Sequence, residues 1–386
     1  MIRLLLLTIV LATAGMATPN VNSDTLQRLS ETTFRSDDYE YEYSTSTLGQ
    51  QNIWVVVGLR VRGQLGGPQR FQMWKLDLAG KKLAQIDFDA ITPTGNSQEK
   101  YLRIYDLATL KNGNIGLLAG TQNGKIGFLV FDGDSAQLVT NRLVELPYAN
   151  TFISKVFTAD DGDLIALGRS GTQPMILKLR PSGEQASLKL LANDDLTVLT
   201  DGLELADHTF AFLGERLDDA GKINLWLGRV TLKGEVLNKT SFAGQEGTIV
   251  YDNTARNYIV TYVSPGTAAW NVSLRTFTDD LTPAGQFGLQ SGLKQSMRLC
   301  AVPVGDGTIF VVGATAKNQL WTAQVDKTGK IISSSIFEEP NARWQRLWNY
   351  DLLSTSAELV IPFTELLVGN EMEQRQVMKI LRLRRQ

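Results

Sequence analysis

The chain of 386 residues holds one histidine and one cysteine, two residue types often used as catalytic base and nucleophile. His208 follows Asp207 in the segment ADHTFAF, and a Ser-His-Asp or Cys-His arrangement would have to use this one imidazole. The segment is typical of a hairpin turn, where a histidine is usually an ordinary surface residue. Cys300 lies in MRLCAVPV, a predicted strand in which a small buried residue is expected. We predict no catalytic residue from either side chain.

Metal and carboxylate chemistry also have little support. A zinc site needs three or four nitrogen or sulfur ligands, which one histidine and one cysteine do not supply. The segment DDGD at 160–163 offers oxygen ligands for calcium, but its Asp-Gly pair fits a hairpin turn and no segment matches the twelve-residue calcium loop. Neighbouring acids at 194–195, 218–219, 279–280 and 338–339 are typical of solvated turns rather than of a glycosidase cleft. No metal or cofactor is predicted, and calcium and a quinone stay open.

The side chains named above lie in a sequence repeat of about 50 residues, which must form the structure that positions them. The stretch Tyr101–Leu146 contains four strand-like segments in succession, with breaks at Asn112-Gly113 and Asp132-Gly133. An Asn-Gly pair between two strands is typical of a type I′ hairpin, which needs positive φ at both central residues. Four strands joined by tight turns form one antiparallel propeller blade.

Copies of this stretch align on the glycine that closes each second strand: Gly58, Gly120, Gly168, Gly214 and Gly313. Two more apolar runs, at 257–263 and 358–363, bring the number of second strands to seven. The first hairpin repeats at 112–113, 161–162 and 306–307, and the turn before the fourth strand repeats at 77–80, 180–183, 231–234 and 326–329. A period near 50 residues without helical periodicity indicates one four-stranded blade per copy.

The third strands place bulky apolar residues in one register, namely Trp226, Trp270, Trp321 and Met175. Such a ring of matched residues is what sheets packed face to face around an axis require, so we interpret it as core. The last blade lacks a fourth strand, because its third, Arg375–Leu383, runs almost to the end of the chain. Asp24–Phe34 resembles the other fourth strands and is predicted to complete that blade.

The predicted fold is therefore all-β: a seven-bladed β-propeller of four-stranded antiparallel blades, closed by the N-terminal strand. Residues 24–386 form this single domain, and residues 1–17 are expected to be a signal peptide, with Arg3 before the apolar run 4–11 and small residues at the cleavage region. That run is too short to cross a membrane. The mature protein is expected to be periplasmic or secreted.

The charge balance excludes one class of partner. With 38 basic and 40 acidic residues the net charge is −2, which gives no basic field for nucleic acid. A single cysteine also means that no intramolecular disulfide forms. A protein of the envelope or a secreted protein is the expected partner, and the sequence leaves the oligomeric state open.

Residues 39–43 alternate tyrosine and glutamate at the period of a strand. We expect the tyrosine rings to pack and the glutamates to face a wet central channel, with a cation or polyamine site there as the functional alternative.

Four long loops, at 60–70, 89–100, 215–222 and 365–375, occupy equivalent positions and are expected to share one rim. Propeller ligands usually meet that rim near the central opening. The candidate binding residues of this rim are Arg60, Arg62, Arg70, Glu215, Arg216, Asp218, Glu365 and Glu371.

The repeat resembles bacterial exported β-propellers with quinoprotein-like or delta-60-like repeats. GDGTIFVVG at 305–313, TAQVDKTGK at 322–330 and KNGNIGLLAG at 111–120 carry this resemblance. The tryptophan typical of quinoprotein repeats is replaced by Leu83, Val236 and Ile331, which argues against quinone binding.

Three functional hypotheses follow, of which the third is a subunit of a larger redox complex, which should have one large apolar outer surface. The first is an exported, non-enzymatic module that binds a protein or another ligand, or acts as a scaffold, through its loop rim. The second is an enzyme, either a hydrolase or lyase that uses rim carboxylates or a quinone-dependent dehydrogenase. An enzyme should bring several ionisable groups together in one pocket.

Overall fold

The computed structural model describes residues 26–62, 64, 68, 70–93, 100–148, 150–191, 196–218, 220–231, 233–253, 255–265, 270–293, 299–303, 308–315, 319–326, 328–337, 344–355, 358–368 and 374–385. Alternating or fully apolar segments form strands throughout these residues, and one 3-10 turn lies at Phe88–Ala90. No helix in these ranges is long and apolar enough to cross a membrane.

The strands form seven antiparallel sheets, as the repeat predicts. Blade 1 has β2 (Tyr39–Leu48), β3 (Asn52–Val61), β4 (Arg70–Asp77) and β5 (Lys82–Asp87); blade 2 has β6 (Tyr101–Thr109), β7 (Ile115–Thr121), β8 (Ile126–Phe131) and β9 (Leu138–Val144). Blade 3 has β10 (Thr151–Thr158), β11 (Leu164–Ser170), β12 (Gln173–Leu179) and β13 (Gln185–Leu190); blade 4 has β14 (Val198–Glu204), β15 (Phe210–Leu217), β16 (Ile223–Val230) and β17 (Val236–Ala243).

The remaining blades follow the same order. Blade 5 has β18 (Gln245–Asp252), β19 (Asn257–Pro265), β20 (Trp270–Thr278) and β21 (Pro283–Leu293); blade 6 has β22 (Cys300–Pro303), β23 (Ile309–Ala314), β24 (Leu320–Val325) and β25 (Ile331–Phe337). Blade 7 has β26 (Trp344–Tyr350), the short β27 (Leu353–Ser354), β28 (Glu358–Val368) and β29 (Gln374–Arg385), with β1 (Leu26–Phe34) as its outer strand.

The N-terminal strand closes the ring, which confirms the predicted pairing of the two chain ends. β1 runs antiparallel to β29, from Leu26 opposite Arg385 to Phe34 opposite Met378. The buried ammonium of Lys379 lies 3.2 Å from the carboxylate of Glu31 in β1 and 2.8 Å from that of Glu365 in β28. Two carboxylates on one buried ammonium tie the N-terminal strand to the blade that it completes.

The core lies between the blades. Buried apolar residues form seven clusters, and each cluster joins one blade to the next around the ring. The glycines of the second strands pair with the bulky residues of the third: Gly168 with Met175, Gly214 with Trp226, and Gly313 with Trp321. The three bulky side chains are at most 5% exposed, as expected for core. Trp270 is paired with Pro265 rather than with Ser264, so its predicted register was wrong by one position.

The hairpins are where predicted, but their turn type differs from the prediction. In the turn after β6, Gly113 has φ +85° and donates from its backbone N–H to the carbonyl of Leu110. Asn112 is not among the residues with positive φ. This geometry is a type I turn followed by one left-handed residue, so the type I′ assignment was wrong. The turns at Gly162, Gly80, Gly183, Gly234 and Gly329 share it, and the pair 306–307 lies outside the described residues.

Candidate functional site

A cavity of about 320 Å³ lies on the axis of the ring. The first strands of blades 3 to 6 and residues 351–352 of blade 7 provide most of its wall, with Glu215 from the end of β15. Its charged lining residues are Lys155, Asp201, Glu215, Glu246 and Asp351, and its hydroxyl-bearing ones are Ser154, Thr200 and Thr248. The rest of the described lining is non-polar and comes largely from residues 299–302 of blade 6, so the cavity combines a charged side with an apolar one.

The cavity lies near the face of the predicted rim. Glu215 pairs with Val198 at the beginning of β14, beside the connection that arrives from blade 3. In an antiparallel blade the second-to-third and blade-to-blade connections leave from the same end. Lining residues such as Ser154 and Glu246 also stand in the first half of their strands.

Asp201 holds one side of the cavity in place. It follows a bulge in β14, between Leu199 and Asp201. Its Oδ1 accepts from the N–H of Gly202 at 2.9 Å, and its Oδ2 accepts from the hydroxyl of Thr248 at 2.6 Å and the N–H of Ile249 at 2.9 Å. One carboxylate therefore clamps blade 4 to blade 5.

Asp106 forms the same kind of clamp in blade 2, away from the cavity. It also follows a bulge and is 7% exposed. Its carboxylate accepts from the hydroxyl of Thr45 in blade 1, from the N–H of Leu107 at 2.9 Å and from the N–H of Val156 in blade 3 at 2.8 Å. The carboxylate thus joins three blades.

Sequence reasoning missed these clamps, although a signal for them exists. DLATL at 106–110 and DGLEL at 201–205 share an aspartate four residues before the leucine that enters the hairpin turn. Asp351 acts similarly from blade 7, because its Oδ1 accepts from the N–H of Leu352 and its Oδ2 from the hydroxyl of Tyr43 in blade 1, at 3.0 Å.

Glu215 and Glu246 bring charge to the cavity mouth. The N–H of Glu246 donates to Oε1 of Glu215 at 3.1 Å, and Glu246 is exposed with a left-handed φ of +53°. Lys155, half-buried in β10, is the cation among the lining residues. The part of the lining that the structure describes therefore carries four carboxylates and one ammonium.

Of the seven predicted rim residues that the structure describes, Glu215 alone lines the cavity. Arg60 instead pairs with Glu40 and donates to Gln376 at 2.9 Å, which links blade 1 to blade 7. Arg70 pairs with Asp89 at 3.0 Å and so connects two of the four predicted loops.

The other predicted residues are dispersed. Asp218 accepts from the N–H groups of its own turn, at 2.8 Å and 3.0 Å, and Glu365 is buried against Lys379. Arg62 is exposed at the end of β3 and Arg216 is half-buried in β15. Glu371 lies outside the described residues.

The tyrosine–glutamate alternation in β2 has a structural role. Tyr41 packs edge-on against Trp74 with ring centroids 5.1 Å apart, and Tyr43 is buried. Glu40 is paired with Arg60 rather than solvated in a channel. Burial raises the pKa of Glu42, and the charge of Arg60 partly offsets that rise. The rings pack as expected, whereas Glu40 holds an arginine.

Cys300 is 6% exposed, as predicted for a core position, and also lines the cavity. His208 is exposed in the hairpin turn between β14 and β15, where the sequence placed it. These two side chains are in different parts of the molecule and form no common site.

No protein-family model matches the chain, and no curated protein matches it in sequence. Solved structures do resemble it. The lectin BP39L from Burkholderia pseudomallei aligns with TM-score 0.57 and 10% identity over 88% of this chain and 98% of the lectin. The WD40 domain of Toxoplasma gondii coronin aligns with TM-score 0.55 and 10% identity over 95% and 89% of the two chains.

A puromycin hydrolase aligns with TM-score 0.53 and 14% identity over 87% of this chain and 53% of the hydrolase. At such identities the likeness shows the fold alone. The chain is a seven-bladed β-propeller, and proteins with very different activities share that fold.

Proposed function

We propose that this chain is an exported, non-enzymatic binding module that takes a positively charged group of its ligand into the axial cavity. The observation that carries this proposal is the described lining of the cavity, which contains four carboxylates, those of Asp201, Glu215, Glu246 and Asp351, and one ammonium, that of Lys155. A concave site with an excess of one charge raises the local concentration of the opposite charge and favours its binding.

The hydrogen bonds of the carboxylates support binding rather than catalysis. A general acid or base must exchange a proton with the substrate. Asp201 and Asp351 are held by donors from the next blade, and Oε1 of Glu215 accepts from a backbone N–H. Acceptors occupied in this way act as stationary negative charges. The alternative, a hydrolase or lyase that uses rim carboxylates, has less support because the predicted rim acids Asp218 and Glu365 do not line the cavity.

The lectin among the similar structures raises sugar binding as a further possibility, but the described lining of the cavity lacks a stacking surface for a sugar ring. Lectin sites commonly combine polar groups with an aromatic ring, and none of the described lining residues is aromatic. An amine or guanidinium group fits the charges better, either on a small ligand or on a lysine or arginine of an envelope protein.

Export rests on the expected signal peptide at residues 1–17, and the rim supplies the surface around the cavity. The likeness of the repeats to quinoprotein-like or delta-60-like repeats also comes from the sequence alone, and it likewise stays a proposal. A protein partner would approach along the rim and insert one basic side chain.

Calorimetric titration of the full chain with spermidine tests the proposal, with a lysine-rich peptide as a second probe. Glu246→Gln and Glu215→Gln should each weaken binding by roughly two- to fivefold, the usual contribution of one partly exposed charge. Glu184→Gln is the matched control, because Glu184 is an exposed acid paired with Arg180 far from the cavity. Equal binding by all four proteins, or tighter binding of a dicarboxylate than of spermidine, would contradict the proposal.

A further inference from the structure

Three potential metal ligands meet on the opposite face of the ring, where the hairpins of blades 3 and 4 lie side by side. Asp160 is in the turn after β10, Glu204 is the last residue of β14, and His208 is in the turn after β14. One ligand atom from each residue lies within 4.8 Å of the other two. Sequence reasoning missed this cluster because Asp160 comes from a different blade and because only nitrogen and sulfur ligands were counted for zinc, which also binds carboxylate oxygens.

Glu204 is the centre of the cluster. Its Oε2 accepts from the backbone N–H of Asp160 at 2.5 Å, and its Oε1 lies 3.1 Å from Nδ1 of His208. The Glu204 side chain is only 10% exposed, whereas that of His208 is 70% exposed. Since Asp160 is also exposed, the two outer ligands can rotate onto an ion that Glu204 holds from below.

The nearby cations are already engaged by other acids. Lys178 pairs with Asp161 and Asp163, and Arg229 pairs with Asp207. Within the described ranges no lysine or arginine forms an ion pair with Asp160 or Glu204. Two carboxylates therefore lie within 4.8 Å of each other without a lysine or arginine paired to either, and like charges at this separation repel unless a cation joins them.

The backbone places the imidazole in this position at a cost. His208 has φ +60°, and its N–H donates to the carbonyl of Leu205, so it occupies the place that Gly113 and Gly162 hold in the hairpins of blades 2 and 3. Glycine adopts this conformation freely, whereas a residue with a Cβ is strained there. Backbone strain at His208 does not by itself indicate a metal site, and the case for one depends on the three ligand types.

We propose that Asp160, Glu204 and His208 bind a divalent transition ion of the zinc type and that the ion links blades 3 and 4. One imidazole nitrogen and two carboxylate oxygens suit zinc, cobalt and nickel better than calcium, which prefers oxygen alone. Zinc ligands lie about 2.0–2.2 Å from the ion. Closure therefore needs only side-chain rotation by the two exposed residues, and water completes the coordination. This site is independent of the axial cavity.

Because the chain has one histidine, the test has a clear readout. The full chain, produced without a histidine tag, is titrated with Zn²⁺ in a calorimeter and with Co²⁺ while the imidazole proton signals are followed by NMR. Paramagnetic Co²⁺ should broaden the His208 signals at stoichiometric addition, and Zn²⁺ should shift them. Zn²⁺ should also raise the midpoint of thermal unfolding.

Three variants make the assignment specific. Glu204→Gln and Asp160→Asn should weaken Zn²⁺ binding by roughly tenfold or more. His208→Gly should do the same while keeping the turn, since glycine stands at this position in two neighbouring blades. Cys300→Ser, which removes the only thiol, should leave binding unchanged.

The proposal is overturned if the full chain binds no Zn²⁺ at about 1 mM, a concentration at which even a weak specific site is occupied. It is equally overturned if His208→Gly binds as the original chain does, or if Cys300→Ser abolishes binding. Loss of binding in all three ligand variants, each with unchanged folding, supports the site.

Discussion

Tyr258 combines complete burial with an unsatisfied polar group. Its side chain is 0% exposed, its ring lies 4.9 Å from that of Tyr251, and its hydroxyl has no hydrogen-bond partner among the residues that the structure describes. A buried hydroxyl without a partner loses its bonds to water on folding. We therefore expect Tyr258→Phe to raise the free energy of unfolding by about 1 kcal/mol, measured by urea denaturation at pH 7. A loss of stability instead would mean that the hydroxyl is bonded.

The same residue makes stability depend on alkaline pH. Burial raises the pKa of Tyr258 to about 12 from 10.0. Between these values the unfolded chain gives up a proton that the folded chain retains. Stability that is fully present below pH 10 is therefore lost as the pH rises toward 12. The free energy of unfolding of Tyr258→Phe should therefore decline less between pH 10 and 12 than that of the original chain. Tyr148→Phe, which changes an exposed ring, should decline as the original chain does.

Asp106 should be the most costly single carboxylate to remove from the inner strands. Without it, the Thr45 hydroxyl and the Val156 N–H lose their acceptor inside the ring. Asp106→Ala should lower the free energy of unfolding by about 3 kcal/mol, and Asp106→Asn by less, because the amide keeps one acceptor oxygen. Chemical denaturation of both variants checks this order. Equal losses, or a loss below about 1 kcal/mol for the alanine, would contradict the clamp.

The turns between strands depend on acidic side chains. Burial alone would raise the pKa of Asp326, but bonds from the Thr328 hydroxyl and from the N–H groups of Lys330 and Thr328 lower it below its ordinary value. The stabilisation from such a carboxylate is present above its unfolded pKa of about 3.9 and disappears as the pH falls through its folded pKa.

Asp326→Ala should therefore lower the urea midpoint at pH 6 and make little difference at pH 2. Asp134→Ala is a suitable control, because Asp134 is an exposed turn residue of another blade. A deficit that is as large at pH 2 as at pH 6 would show that the aspartate acts through backbone preference rather than through its charge.

Strands and hairpins could be predicted from sequence because their signals are local. Alternation, Asn-Gly or Asp-Gly pairs and the closing glycines sit within a few residues of the structure that they specify. The bulges before Asp106 and Asp201 could not be predicted. A bulge is an extra residue in one strand relative to the paired strand, so it is defined only by the pairing of the two strands. The turn type was wrong because Asn-Gly also suits a type I turn followed by a left-handed glycine.

The site was harder to predict than the fold for a related reason. The axial cavity combines Lys155, Glu215 and Glu246, which are far apart in sequence and meet only after the ring closes. Rim residues such as Arg60 and Glu365 were chosen by loop position, which cannot show that each has a partner within the sheets. Only coordinates distinguish a charge offered to a ligand from one that holds two strands.

Closure of the ring depends on β1 because it supplies the outer edge of blade 7 and the Glu31 carboxylate at Lys379. A chain that begins at residue 36 should expose the unpaired edge of β29, self-associate, and lose more than about 5 °C in thermal midpoint. A synthetic peptide of residues 26–35 should restore the monomer by adding the missing strand. The same peptide with Thr32→Pro, which removes an N–H opposite Ile380, should fail. Light scattering measures the self-association, and thermal unfolding measures the loss of stability. If the truncated chain is as monomeric and as stable as the full chain, the apolar clusters between the blades close the ring without this strand.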